Sequence, residues 1–175
     1  MSTIFTNGIN TEVENYIKEN MEYDRFSGTL RWKGKGGFNR DSSKPIGSLN
    51  GRGYLQVGTP YKDLRVHQIC WYLFYGEWPT GIIDHINGDR TDNRPENLRE
   101  ATLSQNAGNS KPHKDGSSKY KGVGWDKNSK GWAARCKHKW LGRFECEHEA
   151  GLAYNYAAEK AFGPFANFNR VFHDI

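Results

Sequence analysis

Cysteine is scarce in this chain: Cys70, Cys136 and Cys146 are widely spaced and form no Cys-x-x-Cys pair. That argues against a disulfide framework and a cysteine zinc finger, and it fits a reducing compartment. Long apolar runs are also missing. No stretch approaches the ~20 apolar residues of a membrane helix, and Met1 to Asn7 lacks the charged and apolar regions of a signal peptide. The expectation is a soluble, cytoplasmic protein that is not secreted and has no membrane partner. Apolar residues make up only 35% and mean hydropathy is −0.88. Aromatics are nevertheless plentiful, with six Trp, nine Tyr and nine Phe, more than a disordered chain carries. The 175 residues suffice for one ordinary domain or two small ones.

Acidic residues are in short supply in one place. Residues 1–110 hold 13 Lys/Arg and 13 Asp/Glu, so the whole net charge of +5 resides in residues 111–175. Between Lys111 and Arg143, ten basic residues face only Asp115 and Asp126, and they are interleaved with Trp125, Trp132 and Trp140. Basic residues mixed with aromatics are the footprint of a nucleic-acid-binding surface; the alternative is a solvated lysine-rich face. Membrane-surface binding fits less well, because the basic residues follow strand alternation and form no amphipathic helix.

Periodicity predicts a short helix over Thr11 to Met21, with Val13, Tyr16 and Ile17 on one stripe and no legible role. Short antiparallel strands follow at Thr29–Lys33, before the turn Gly34-Lys35-Gly36-Gly37, and at Tyr54–Val57, after Asn50-Gly51-Arg52-Gly53. Val66 to Tyr75 reads as a buried helix stopped by Gly76 and Pro79. Residues 82–99 are polar and turn-rich, and a helix is expected over Glu100 to Ala107. Asn109 to Ser118 has linker composition. Beyond it, strands are expected at Tyr120–Trp125, Trp132–Lys137 and Lys139–Phe144. A helix over Glu147–Phe162 completes the reading, with the stripe Ala150, Ala153, Tyr154, Ala157 and Ala161.

The polar stretch carries a candidate hydrolytic site. Asp84 and His85 are adjacent, Asn97 follows His85 by twelve residues and Asn106 by twenty-one. Such a site needs a carboxylate for a cation, a base for water and a further oxygen donor, with positions left open for phosphate. At the end of a strand, Asp84 and His85 point to opposite faces, so one can hold a metal while the other meets water. Taken singly, Asp84 and Asp92 also read as turn formers, Asn97 as a cap and His85 as a surface histidine.

Together with Val66-His67, Gly76-Glu77-Trp78-Pro79 and Asp84-His85-Ile86-Asn87-Gly88-Asp89, these residues resemble the HNH endonuclease family, of the phage and intron-associated kind. The upstream Gly28-Thr29-Leu30-Arg31-Trp32-Lys33 and Gly53-Tyr54-Leu55 share the resemblance. It implies a ββα-metal site in which His85 is the general base, Asp84 and Asn106 are ligands of one divalent cation, and Asn97 orients the loop. Asn in the third position, where other members have His, favours Mg²⁺ or Mn²⁺ over Zn²⁺. Arg94 and Arg99 are candidates for phosphate contact, with ion pairing as the alternative. His67, His113 and Asp89 stay outside the catalytic set.

Tyr120-Lys121-Gly122-Val123-Gly124-Trp125, Trp132-Ala133-Ala134-Arg135, Trp140-Leu141-Gly142-Arg143-Phe144, the Glu149-Ala150 helix and Asn167-Phe168 resemble the plant ethylene-response-factor (APETALA-type) DNA-binding domain. That resemblance implies a three-stranded sheet laid into the major groove, with Lys121, Arg135, Lys137 and Trp140 at contact positions. Gly124, Asp126, Ser129 and His138 depart from that family's usual Arg, Arg, Trp and Arg, so its target sequence does not carry over. Alternation puts Trp132, Ala134 and Cys136 on one face and Ala133, Arg135 and Lys137 on the other.

The expected fold class is α+β: a ββα-metal nuclease domain preceded by short antiparallel strands, then a small three-stranded sheet plus helix. The expected division is an N-terminal helical segment (1–22), a nuclease domain (23–110), a linker (111–117), a DNA-binding domain (118–169) and a C-terminal tail (170–175). The expected function is metal-dependent hydrolysis of a phosphodiester in double-stranded DNA, nicking one strand at a preferred site, as in homing or phage enzymes. No obligatory protein partner is evident. The alternatives are a non-catalytic DNA-binding regulator with a vestigial site and, more weakly, an RNA-binding module.

Overall fold

The computed structural model describes residues 9–34, 41–113 and 115–171. The first eight residues, the turn beyond Gly34, Lys114 of the linker and the tail from residue 172 lie outside the described residues. The fold mixes helices with small antiparallel sheets, and the chain divides after Thr102 into two compact units.

The first unit opens with helix α1, Thr11–Asn20, whose start is set by Asn10: its side chain accepts from the Val13 N–H at 3.1 Å. Val13 and Ile17 on α1, and Met21 just after it, are buried with Leu30, Ile46, Val57, Leu64, Val66, Ile69, Cys70 and Tyr72. The helix is therefore part of the core of this unit and not a separate segment. Strands β1, Met21–Asp24, and β2, Thr29–Trp32, form a hairpin. Strands β3, Ser48–Leu49, β4, Leu55–Gly58, and β5, Asp63–Arg65, form a second sheet in that order. Helix α2, Val66–Tyr75, follows β5 without a break and ends at Gly76, which adopts the left-handed conformation (φ 80°) and donates its N–H to the Tyr72 carbonyl.

Strand β6, Ile82–His85, pairs antiparallel with β7, Leu98–Ala101, so that Asp84 opposes Arg99 and His85 opposes Leu98. The helix expected over Glu100 to Ala107 thus starts later, as α3, Leu103–Asn109. Glu100 and Ala101 are drawn into the ladder by their partners Ile83 and Ile82, an instance of tertiary pairing overriding local propensity.

Helix α3 belongs to the second unit. Gly108 lies against Phe162, so closely that a Cβ there would sit 2.6 Å from the ring's Cγ. Asn167 donates from its backbone N to the Gly108 carbonyl and from Nδ2 to the Asn109 carbonyl, at 3.0 and 3.1 Å. These bonds satisfy the end of the helix, and they explain why the units divide before α3 instead of within residues 111–117.

Strands β8, Val123–Asp126, β9, Gly131–Cys136, and β10, Lys139–Phe144, form an antiparallel sheet with β9 in the centre. Helix α4, Glu147–Phe162, packs on it: Ala134 and Cys136 of β9 and Ala150, Tyr154 and Ala158 of α4 are buried. The stripe that packs ends on Ala158, while Ala161 is exposed. Gly122 enters this sheet at φ 73°, and a Cβ on it would meet Tyr154 Cδ2 at 2.2 Å and the Arg135 carbonyl oxygen at 2.4 Å.

Candidate active site

His85 ends β6 and is 4% exposed. Its Nε2 lies 3.2 Å from Asn93 Oδ1. With Nε2–H donating to that oxygen, the basic lone pair of the neutral ring is on Nδ1. Burial pushes His85 below the ordinary imidazole value, against the opposing pull of the Asn93 bond and of Asp84, Asp89 and Asp92. A neutral imidazole is the form a general base needs.

The loop between the strands, residues 86–97, is held at both ends by Asn97. Its Oδ1 accepts from the Asn87 N–H at 2.9 Å, its Nδ2 donates to the Asp92 carbonyl at 2.7 Å, and its own carbonyl accepts from Ile86 N–H at 2.9 Å. Asn97 shapes the loop that carries Asn93. The β1–β2 hairpin supports the same loop from outside. Tyr23 Oη donates to the Asn93 carbonyl at 2.6 Å, and Gly28, at φ 70°, comes so near that a Cβ would stand 2.6 Å from Arg94 N.

Asp84 is buried beside His85, and Arg99 grips its Oδ2 with Nε and Nη2, each at 2.9 Å. Arg94 forks onto Asp92, at 2.8 Å from Nε to Oδ1 and 2.7 Å from Nη2 to Oδ2, and its hydrogen bonds bring the Asp92 carboxyl down to about 2. Both arginines considered for phosphate contact are therefore engaged with carboxylates. Asn106 sits half-buried on α3, in the second unit.

Among the described residues no three His, Cys, Asp or Glu side chains cluster as a ready-made metal cage. The donors offered by the motif, the Asp84 carboxylate and an asparagine amide, are oxygens. That suits a hard cation bound through few protein ligands, with water and substrate phosphate completing its shell. The residues present fit such a cation.

Two further aromatic groups stand next to His85. His67, on the first turn of α2, meets the His85 ring edge-on at 5.2 Å, and Tyr54 lies 5.3 Å from His67 and 6.0 Å from His85. His67 is 3% exposed and its Nδ1 is buried with no hydrogen-bond partner among the described residues. Burial, then the neighbouring His85 and Arg65, keep it well below the ordinary imidazole value. Asn93 and Tyr23 are neighbours of the site that sequence reasoning missed, while His67 was left outside the catalytic set and Tyr54 entered only through the Gly53-Tyr54-Leu55 resemblance. Asn93 was hidden among turn formers in Asp92-Asn93-Arg94-Pro95.

In the second unit, Arg135 and Trp140 are directly opposed across β9 and β10, and the guanidinium lies 5.2 Å from the indole. Both are exposed. Lys137 lies past the end of β9 in a turn at φ 54°, with Nζ 5.0 Å from the Phe162 ring, so strand alternation does not set its direction. Lys121 is half-buried: its Nζ donates to the Ala107 and Gly108 carbonyls at 2.9 and 2.6 Å, and burial pushes it down to about 8. It closes the C-terminus of α3, a task that competes with contact to DNA.

Comparison with known proteins bears on the first unit most directly. Residues 64–107 match the family model described as HNH endonuclease, a family that acts on DNA and generally uses divalent metal ions. The chain is similar to "Protein 3.8" of Escherichia phage T7, at 37% identity over 73 residues, 41% of this chain. The match spans 60% of that relative's own length. No solved structure matches the chain. The family match supports nuclease chemistry at the level of the family. No helix among the described residues is long and apolar enough to cross a membrane.

Proposed function

We propose that this chain is a metal-dependent DNA endonuclease that nicks one strand of a preferred double-stranded site. The observation that carries the reading is the buried Asp84–His85 pair at the end of β6, with His85 held by Asn93 on a loop clamped by Asn97. His85 takes a proton from water at Nδ1. The water oxygen bonds to phosphorus, the bond to the 3′ oxygen breaks, and that oxygen takes a proton from solvent, leaving a 5′-phosphate and a 3′-hydroxyl. A divalent cation, Mg²⁺ or Mn²⁺, with Asp84 as its carboxylate ligand, would supply positive charge to the phosphate and leaving oxygen when bound; Asn106, the second ligand the resemblance implies, belongs to the other unit. Arg99, which reaches Asp84 Oδ2 with Nε and Nη2, orients that carboxylate. Asn97 keeps the loop closed so that Asn93 fixes the imidazole.

The second unit is read as a DNA-binding module of the ethylene-response-factor type, with Arg135 and Trp140 on its open face and Lys137 at the adjoining turn. The chain's excess positive charge in residues 111–175 supports this, and tethering raises the effective concentration of the nuclease unit at its target. The phage relative supports a phage setting, and homing-type use is part of the same proposal.

The reading is tested with supercoiled plasmid and the full chain in Mg²⁺, Mn²⁺ or EDTA. The expected product is open circles in either metal and none in EDTA. Retardation of DNA without any metal-dependent nicking would favour the non-catalytic regulator instead.

A further inference from the structure

Arg65 and Arg90 come from separate segments and meet at one tyrosine, Tyr54. The guanidinium of Arg65 lies 5.2 Å from the Tyr54 ring centre and that of Arg90 lies 4.7 Å from it, while Arg90 Nη1 donates to the Arg52 carbonyl at 2.5 Å. All three arginines are exposed, and among the described residues none forms an ion pair. The contrast with Arg94 and Arg99 is physical: those two are taken up by Asp92 and Asp84, whereas Arg65 and Arg90 are positioned by an aromatic ring. Stacking on a ring holds a guanidinium through its plane and leaves its N–H fork directed at an anion. Tyr54 itself is 6.0 Å from the ring of His85.

We propose that Tyr54, Arg65 and Arg90 form a cradle for backbone phosphates of the DNA strand to be cut, seating the strand beside His85. Neither guanidinium forms an ion pair among the described residues, so both keep N–H groups to offer an anionic strand, and Tyr54 links them to His85. Tyr54 acts as a positioning residue, and Arg65 and Arg90 are the groups that touch substrate. The inference rests on the nuclease reading for the strand's fate but not for its binding.

The test uses the full chain and a short fluorescent DNA duplex, with affinity measured in EDTA over a range of salt concentrations. A double variant, Arg65→Gln with Arg90→Gln, is expected to lower the slope of log affinity against log salt by about two, one for each lost phosphate contact. In Mg²⁺ it is expected to slow single-turnover cleavage at least about tenfold. Arg65→Lys with Arg90→Lys retains the charges and is expected to retain the slope, which separates loss of phosphate contact from loss of fold. An unchanged slope in the glutamine variant, or equal loss in the lysine variant, overturns the proposal. If wild type cuts no DNA, the nuclease reading falls while the salt slope still decides the cradle.

Discussion

In the proposed reaction Asn93 sets which nitrogen of His85 is the base, because Nε2–H donated to Asn93 Oδ1 leaves the ring's lone pair on Nδ1. Asn93 is 1% exposed and contacts His85 Nε2 through Oδ1, while Tyr23 fixes its backbone carbonyl. Asn93→Ala is therefore expected to slow cleavage at least about tenfold with little change in DNA affinity, since base catalysis contributes on the order of 10²–10⁴; parallel rate and affinity measurements check it. Asp84, His85 and Asn97 were legible in the sequence because their chemistry and spacing are local. Asn93 was not, since an asparagine in a turn is ordinary until the fold aims it at an imidazole. His67 leads to a pH effect. Its folded-state value lies well below the ordinary 6.5 and burial likewise lowers His85, so between the folded and unfolded values the unfolded chain binds more protons. Stability is full above about pH 6.5 and falls as pH drops below it. The urea midpoint of the first unit is expected to decrease between about pH 7.5 and about pH 5.5, and a flat profile would contradict neutral burial of these rings.

Helix α1 shows how an element of no legible role becomes structural. Val13 and Ile17 gave a stripe in the sequence, but the surface that stripe covers is assembled from Leu30, Leu64 and Ile69, far along the chain. Ile17 is fully buried, so Ile17→Ala is expected to cost about 2–5 kcal/mol of stability, read by chemical denaturation. The end of β7 and the start of α3 were misjudged for a related reason, because cross-strand pairing of Glu100 and Ala101 with β6 outweighs the local helical pattern. Gly122 supplies the corresponding test in the second unit. Its positive φ and the closeness of Tyr154 and the Arg135 carbonyl leave no space for a Cβ. Gly122→Ala is expected to lower the melting temperature of the chain markedly and to loosen Lys121 from the end of α3, whereas Gly53→Ala, where none of the described residues stands within 4 Å of a Cβ, is expected to cost much less despite its own positive φ.

The whole molecule separates charge along its length: the half that carries Asp84 and His85 is balanced, and the half with the β8–β10 sheet holds the entire excess. That segregation was readable by counting. The division after Thr102 was not, because linker composition at residues 109–118 says nothing of the bonds by which Lys121 and Asn167 fasten α3 to the second unit. On the proposal that both units contact phosphate, DNA affinity is expected to fall steeply with salt, and a shallow dependence would count against the basic sheet as a binding surface. The central claim is that His85 does the chemistry without carrying the binding. It is tested most directly by His85→Ala beside wild type, with cleavage of supercoiled DNA in Mg²⁺ or Mn²⁺ and duplex affinity in EDTA measured on the same preparations. Nicking by wild type alone, with affinities that agree, is the predicted result; nicking by both proteins at similar rates would contradict it.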